Sequence, residues 1–127
     1  MPGTRTNTNP VRMVLHGYNA AAVTAALSLG KFLIPSRMKI LNVMGKAGTA
    51  GAGAGNTVLD IKRNGTSIYT TTANRPTLAA AATTGEFANQ NPNIRTLVAG
   101  DVIELLVLSV SDTGHADVTM SVALGIA

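Results

Sequence analysis

Residues 57–78 read TVLDIKRNGTSIYTTTANRPTL, two alternating runs joined by Asn64-Gly65. A two-residue type I′ turn needs positive φ at both central positions, which Asn tolerates and Gly adopts freely, so Asn-Gly between such runs is a strong hairpin signal. The stretch therefore predicts a β protein built from local hairpins. Asn74-Arg75-Pro76 predicts a further turn, because proline pushes the residue before it out of the helical region.

Upstream, residues 1–10 (MPGTRTNTNP) show no apolar periodicity and are expected to form an extended N-terminal arm, leaving residues 11–127 as a single β-sandwich domain. Val11, Met13 and Leu15 then share one parity against Arg12, Val14 and His16, as in a strand with one apolar face. In residues 20–29 the alanines favour helix, but the alternation Ala25, Leu27, Leu29 among β neighbours favours a strand. KFLIP at 31–35 and RMKILNVM at 37–44 read as two strands around a Pro35-Ser36 turn, the second with Met38, Ile40, Asn42 and Met44 on one face.

Residues 45–55 contain five glycines. They are not a phosphate-binding loop: Lys46 is followed by Ala47 rather than Ser or Thr, no glycine stands five positions ahead of Gly45, and a strand rather than a helix follows. An inter-strand loop is expected. Downstream, residues 79–93 read as an Ala-rich and Asn-rich connection with a short strand around Glu86-Phe87-Ala88. Val98-Ala99-Gly100-Asp101 reads as a tight turn. Residues 102–110 (VIELLVLSV) are apolar on both parities apart from Glu104 and Ser109, so this strand is covered on both faces, by a second sheet and a loop or by another subunit. The last strand alternates strictly, with Val118, Met120, Val122, Leu124 and Ile126 opposed to Asp117, Thr119, Ser121, Ala123 and Gly125. About eight short strands with glycine-rich turns indicate an all-β, antiparallel β-sandwich of jelly-roll type.

The chain has 127 residues, enough for one domain, with 11 Val, 12 Leu and 7 Ile but only two Phe, two Tyr and no Trp. The core is thus aliphatic and thin, and association with other copies would add to its stability. The absence of cysteine removes disulfides, thiolate metal sites and thiol nucleophiles. No apolar run has the length of a membrane span and the N-terminus lacks a signal-peptide core, which suggests a soluble protein made in the cytoplasm of the producing cell. Net charge is +4; residues 1–64 carry eight Lys or Arg against one acid, Asp60, whereas residues 65–127 carry two against five. The basic residues of the first half stand singly or in pairs without interleaved aromatics to stack on bases, so nucleic-acid binding is not expected.

His115 in Asp112-Thr113-Gly114-His115-Ala116-Asp117 lies between two carboxylates, a pattern that could bind a metal or orient a base. The same residues suit a hairpin turn between the last two strands, with Asp112 and Gly114 supplying the turn chemistry, and this reading is preferred. His16 falls on the polar parity of its strand. Asp101 and Glu104 are too close to a turn to serve as an acid pair, and no Ser or Thr has a nucleophile-elbow context. No catalytic, cofactor or metal site is expected, and the protein is not expected to be an enzyme. A glycan-binding module is the main rival, although only Tyr18, Phe32, Tyr69 and Phe87 could supply aromatic platforms and one or two of them belong in the core.

Several segments together resemble a β-sandwich module of structural proteins of tailed bacteriophages. They are Ile34-Pro35, the Gly-rich connection, Asp60-Ile61-Lys62-Arg63-Asn64-Gly65-Thr66, Ala73-Asn74-Arg75-Pro76-Thr77 and Leu97-Val98-Ala99-Gly100-Asp101. The resemblance runs from about Phe32 to Ile126, about three quarters of the chain. The module occurs in capsid decoration proteins and at the ends of tail or fibre proteins. No coiled-coil heptads or shaft accompany it here, which favours a decoration, or cement, protein. The resemblance implies a homotrimer on the outer capsid surface of the virion, with the major capsid protein as partner and no chemistry of its own. Thr4, Arg5, Asn7, Asn9 and Arg12 are the expected capsid contacts, and the strand at 102–110 the expected contact between symmetry mates.

Overall fold

The computed structural model describes residues 11–82 and 92–127. Among them lie nine strands: β1 (Val11–Asn19), β2 (Leu27–Leu33), β3 (Met38–Thr49), β4 (Asn56–Arg63), β5 (Thr66–Ser67), β6 (Thr77–Ala79), β7 (Thr96–Leu97), β8 (Val102–Ser109) and β9 (Ala116–Ile126). They form two antiparallel sheets, one ordered β1-β9-β3-β7, the other β2-β8-β4-β5 with β6 also paired to β4. Because β5 and β6 share one edge of β4, the nine strands fill eight positions in two four-stranded layers. Strands β1 to β4 alternate between the layers, as do β7 to β9, which is the winding of a jelly roll. The expected all-β sandwich is observed.

The local hairpins are fewer than the sequence suggests. Among consecutive described strands only β4 and β5 pair with each other, around Asn64 (φ 51°) and Gly65 (φ 86°), the positive values a type I′ turn requires. The Pro35-Ser36 turn carries the chain from one sheet to the other, and so do residues 110–115, which are an inter-sheet crossing rather than a hairpin turn. The return strand β5 ends after two residues; a 3-10 turn at Thr72–Asn74 follows, and pairing with β4 resumes at β6. Arg75 before Pro76 is extended (φ −62°, ψ 138°), as expected.

Three boundaries depart from expectation. Residues 20–26 form no strand, with Ala26 at φ 61°, and β2 begins only at Leu27. The glycine-rich loop is shorter than expected, because Gly45–Thr49 continues β3 opposite Met120, Thr119, Val118 and Ala116 of β9. Finally, a bulge between Ile40 and Asn42 breaks the parity of β3, so that Ile40 and Val43 are buried whereas Asn42 and Met44 face out. At the bulge Leu41 rests over Gly125, where a Cβ would come within 2.7 Å of its Cδ1. The expected strand around Glu86-Phe87-Ala88 lies outside the described residues.

The core is aliphatic, as the composition requires. Leu15, Ile40, Val43, Val118, Met120, Val122 and Leu124 of one sheet pack with Leu59, Ile61, Ile103, Leu105 and Val107 of the other. Fully burying each such side chain contributes roughly 1.5–3 kcal/mol. Tyr69 is the one aromatic buried with them among the described residues. β8 lies between β2 and β4; on its outer face Leu106 is only 5% exposed, whereas Val102 is 40% exposed.

Candidate functional site

The motif residues around Asn64-Gly65 are occupied in holding the sandwich together. The Asn64 side chain donates from Nδ2 to Asp101 Oδ1 at 3.0 Å and accepts from the Val102 N–H at 2.9 Å, which ties the β4–β5 turn to the turn before β8. Asp101 Oδ2 accepts the Val98 N–H at 2.9 Å, closing that turn around Gly100 at φ 92°. This backbone hydrogen bond, then the Asn64 amide and the charge of Arg63, hold the Asp101 carboxyl below its ordinary value against the opposing effect of burial. Asp60, almost fully buried, accepts the Ser67 hydroxyl at 2.7 Å and the Ile61 N–H at 2.8 Å, and Arg75 Nε stands 3.4 Å from the same oxygen. The two halves of the motif thus meet as a buried ion pair that fixes the excursion between β5 and β6. Burial, and then the nearby Asp60 charge, raise the Tyr69 phenol above its ordinary value.

His115 is fully buried at the start of β9, and both its ring nitrogens are taken. Nε2 lies 3.0 Å and 2.8 Å from the carbonyl oxygens of Ala79 and Ala82, and Nδ1 lies 2.7 Å from Thr57 Oγ1. Carbonyls only accept, so Nε2 carries a proton, and in the neutral ring Nδ1 then accepts from the Thr57 hydroxyl. The imidazole therefore pins the inter-sheet crossing to β4 and to the chain after β6. Gly51 makes room for it: a Cβ there would come within 2.6 Å of Ser111 Oγ and 3.0 Å of His115 Nδ1.

The two carboxylates that flank His115 in sequence go elsewhere. Asp112 Oδ2 accepts the Ala54 N–H at 2.9 Å, whereas Asp117 turns to the outer face, where Oδ1 accepts the Tyr18 hydroxyl at 2.6 Å. No group of three or more His, Asp or Glu side chains is arranged for a metal ion among the described residues. The arginines are dispersed as well: Arg63 donates to the Thr96 carbonyl, Arg95 to the Ile40 carbonyl, and Arg75 faces Asp60. Glu104 stands directly opposite Lys31 and Lys62, so the basic side chains form no continuous stripe there.

What remains for recognition is the outer face of the β1-β9-β3-β7 sheet and the edge strand β1. Cross-strand rows run Val14–Ala123–Asn42, His16–Ser121–Met44 and Tyr18–Thr119–Lys46. Small residues on central β9 give this face a low floor between taller rows. His16 is exposed, as expected, with Nδ1 3.3 Å from Ser121 Oγ. Of the expected contact residues, Arg12 is exposed at the bulge between Val11 and Met13; Thr4, Arg5, Asn7 and Asn9 lie outside the described residues.

At the end of this face, Lys46, Ala47, Gly48, Asp117 and Thr119 line an open depression of about 390 Å³. Asp117 is held at φ 54°, and its Oδ2 occupies the space that a side chain at Gly48 would fill. Asp117 lies within β9, on the same outward parity as Thr119 and Ser121 that the alternation of the last strand gives. Compared with protein-family models, curated proteins and solved structures, the chain matches none of them.

Proposed function

We propose that this chain is a virion structural protein of the decoration, or cement, type: several copies, as a homotrimer, bind the outer surface of a capsid shell and bridge its subunits. The observation that carries the reading is the free edge of β1. This strand pairs with β9 on one side and with nothing on the other among the described residues, and it begins at Val11, where the polar segment 1–10 ends. Val11 and Val14 on it are each 55% exposed beside Arg12. An unpaired edge continuous in sequence with the polar segment 1–10 suits strand addition, in which main-chain hydrogen bonds provide affinity and alternate side chains specificity. Thr4, Arg5, Asn7, Asn9 and Arg12 would make the polar and charged contacts to the major capsid protein. Repetition over a symmetric shell multiplies weak contacts into firm attachment. Buried His115 and the Asp60–Arg75 pair serve the same end by making the sandwich a rigid cap.

The test is deletion of residues 2–10, followed by sedimentation of the purified protein with empty capsids of the virus that encodes it. The truncated chain is expected to remain folded and trimeric by native mass spectrometry while losing attachment. Coating at the level of the full chain would overturn the proposal.

A further inference from the structure

The depression beside Tyr18 has the chemistry of a saccharide site, and we propose that it binds a pyranose unit presenting vicinal hydroxyls. Tyr18 is the exposed aromatic of the outer face, 51% accessible, and its hydroxyl donates to Asp117 Oδ1 at 2.6 Å. That hydrogen bond is the largest cause of a phenol raised above its ordinary value, followed by burial and the Asp117 charge. One carboxylate oxygen is therefore fixed by the phenol, and the other lies over Gly48. Opposite Tyr18 across β9 stand the Thr119 hydroxyl and then the Lys46 ammonium.

The result is a carboxylate acceptor, a cationic donor and a hydroxyl around one opening of about 390 Å³, within the roughly 300–1,000 Å³ of small-molecule sites, with the Tyr18 ring next to it through its hydrogen bond to Asp117. A sugar matches this set. Adjacent hydroxyls donate to Asp117 Oδ2 and accept from Lys46 and Thr119, while the C–H face of the ring lies against Tyr18. Other classes fit poorly. An anion meets the Asp117 carboxylate, a divalent cation finds one carboxylate and an opposing ammonium, and an apolar ligand finds a polar floor.

The backbone is consistent with a position held for a purpose. A non-glycine residue at positive φ is uncommon, though Asp is among the residues that tolerate it, and Asp117 sits there beside a glycine whose lack of side chain admits the carboxylate. The site uses Tyr18 at the end of β1 far from Val11, so it is tested separately from attachment through the segment before Val11.

The experiment uses the full chain and saturation-transfer NMR with D-glucose, D-galactose, D-mannose, L-rhamnose and N-acetyl-D-glucosamine as probes. At least one is expected to receive saturation, with amide shift changes confined to the neighbourhood of Lys46, Gly48, Asp117 and Thr119. Tyr18→Ala and Asp117→Asn should each weaken that sugar by about tenfold, whereas Tyr18→Phe, which keeps the ring, should stay within about threefold of the parent. Asn tolerates the backbone of position 117 and Tyr18 is exposed, so both variants should melt close to the parent and keep the readout interpretable. Absence of saturation for all five sugars, shifts centred elsewhere, or full binding by Tyr18→Ala would overturn the proposal.

Discussion

Replacing His115 by Ala tests whether the one histidine with nearby carboxylates in sequence is a structural pin. The substitution empties a fully buried site and orphans the Thr57 hydroxyl, itself 0% exposed. A buried group left without its partner costs about 1–3 kcal/mol, and truncating a large buried side chain to Ala costs about 2–5 kcal/mol. The carbonyls of Ala79 and Ala82 lie nearer the surface and can turn to water, and the imidazole has less apolar surface to lose than the Leu or Phe side chains behind the upper figure, so the expected total is about 3–5 kcal/mol. With an unfolding entropy of about 2.1 cal/mol/K per residue, 127 residues give about 0.27 kcal/mol/K, and the loss corresponds to a fall in Tm of about 10–20 °C. The assay is a double-mutant cycle by urea denaturation with Thr57→Val, which removes the hydroxyl while keeping the shape. If the Nδ1 contact is as described, His115→Ala should cost about 1–2 kcal/mol less in the Thr57→Val background than in the parent. A cost below about 1 kcal/mol for His115→Ala, or a coupling below about 0.5 kcal/mol, would refute the pin. Zinc should leave the parent Tm unchanged, since both ring nitrogens are already engaged.

Two further predictions concern the corner where the β4–β5 turn meets the turn before β8. Asn64→Gly preserves the positive φ but removes the bonds to Asp101 and Val102; the site is partly open to water, so the expected loss is about 1–2 kcal/mol by chemical denaturation. Asp101 has a folded-state value below its ordinary 3.8, so its contribution is present above that value and lost as pH falls through the folded one. The parent should therefore lose stability on acidification in the range below 3.8, and Asp101→Asn should be less stable at neutral pH with a shallower acid decline.

Legibility followed the range of the interactions. The Asn64-Gly65 turn, the bend before Pro76 and the turn at Gly100 were readable because each depends on the φ preference of a residue and its neighbour. The inward parity of Val118, Met120, Val122 and Leu124 was readable because β9 alternates without interruption. The bulge at Leu41 was not, since the Leu41 side chain packs over Gly125 of β9, which is distant in sequence. The same applies to Gly45–Thr49: glycine and alanine signal a loop locally, yet pairing with β9 and the space needed by Asp117 make them strand. Sheet-to-sheet crossings looked like hairpins because a turn looks alike whether the next strand pairs with the last or crosses over it. The Tyr18–Asp117 contact joins residues 99 positions apart, and neither is distinctive alone.

The sandwich also sets the two proposed surfaces at opposite ends. Val11, at the start of β1, lies at the end that holds Gly125, Ile126, Met38 and Leu97, to which the Arg63 side chain binds the end of β4. Tyr18 lies seven residues further along β1, at about 3.3 Å per residue roughly 23 Å away, at the end that holds Lys46, Asp117 and the His115 crossing. A chain attached through the segment before Val11 therefore turns the depression at Asp117 away from the attachment point, where a soluble or cell-surface sugar can reach it. The two interactions would then be compatible in one copy rather than competitive. The His115 pin matters to both, because it ties β4 and the start of β9 together immediately beside Asp117, and loosening it should disturb the distal depression before the proximal edge.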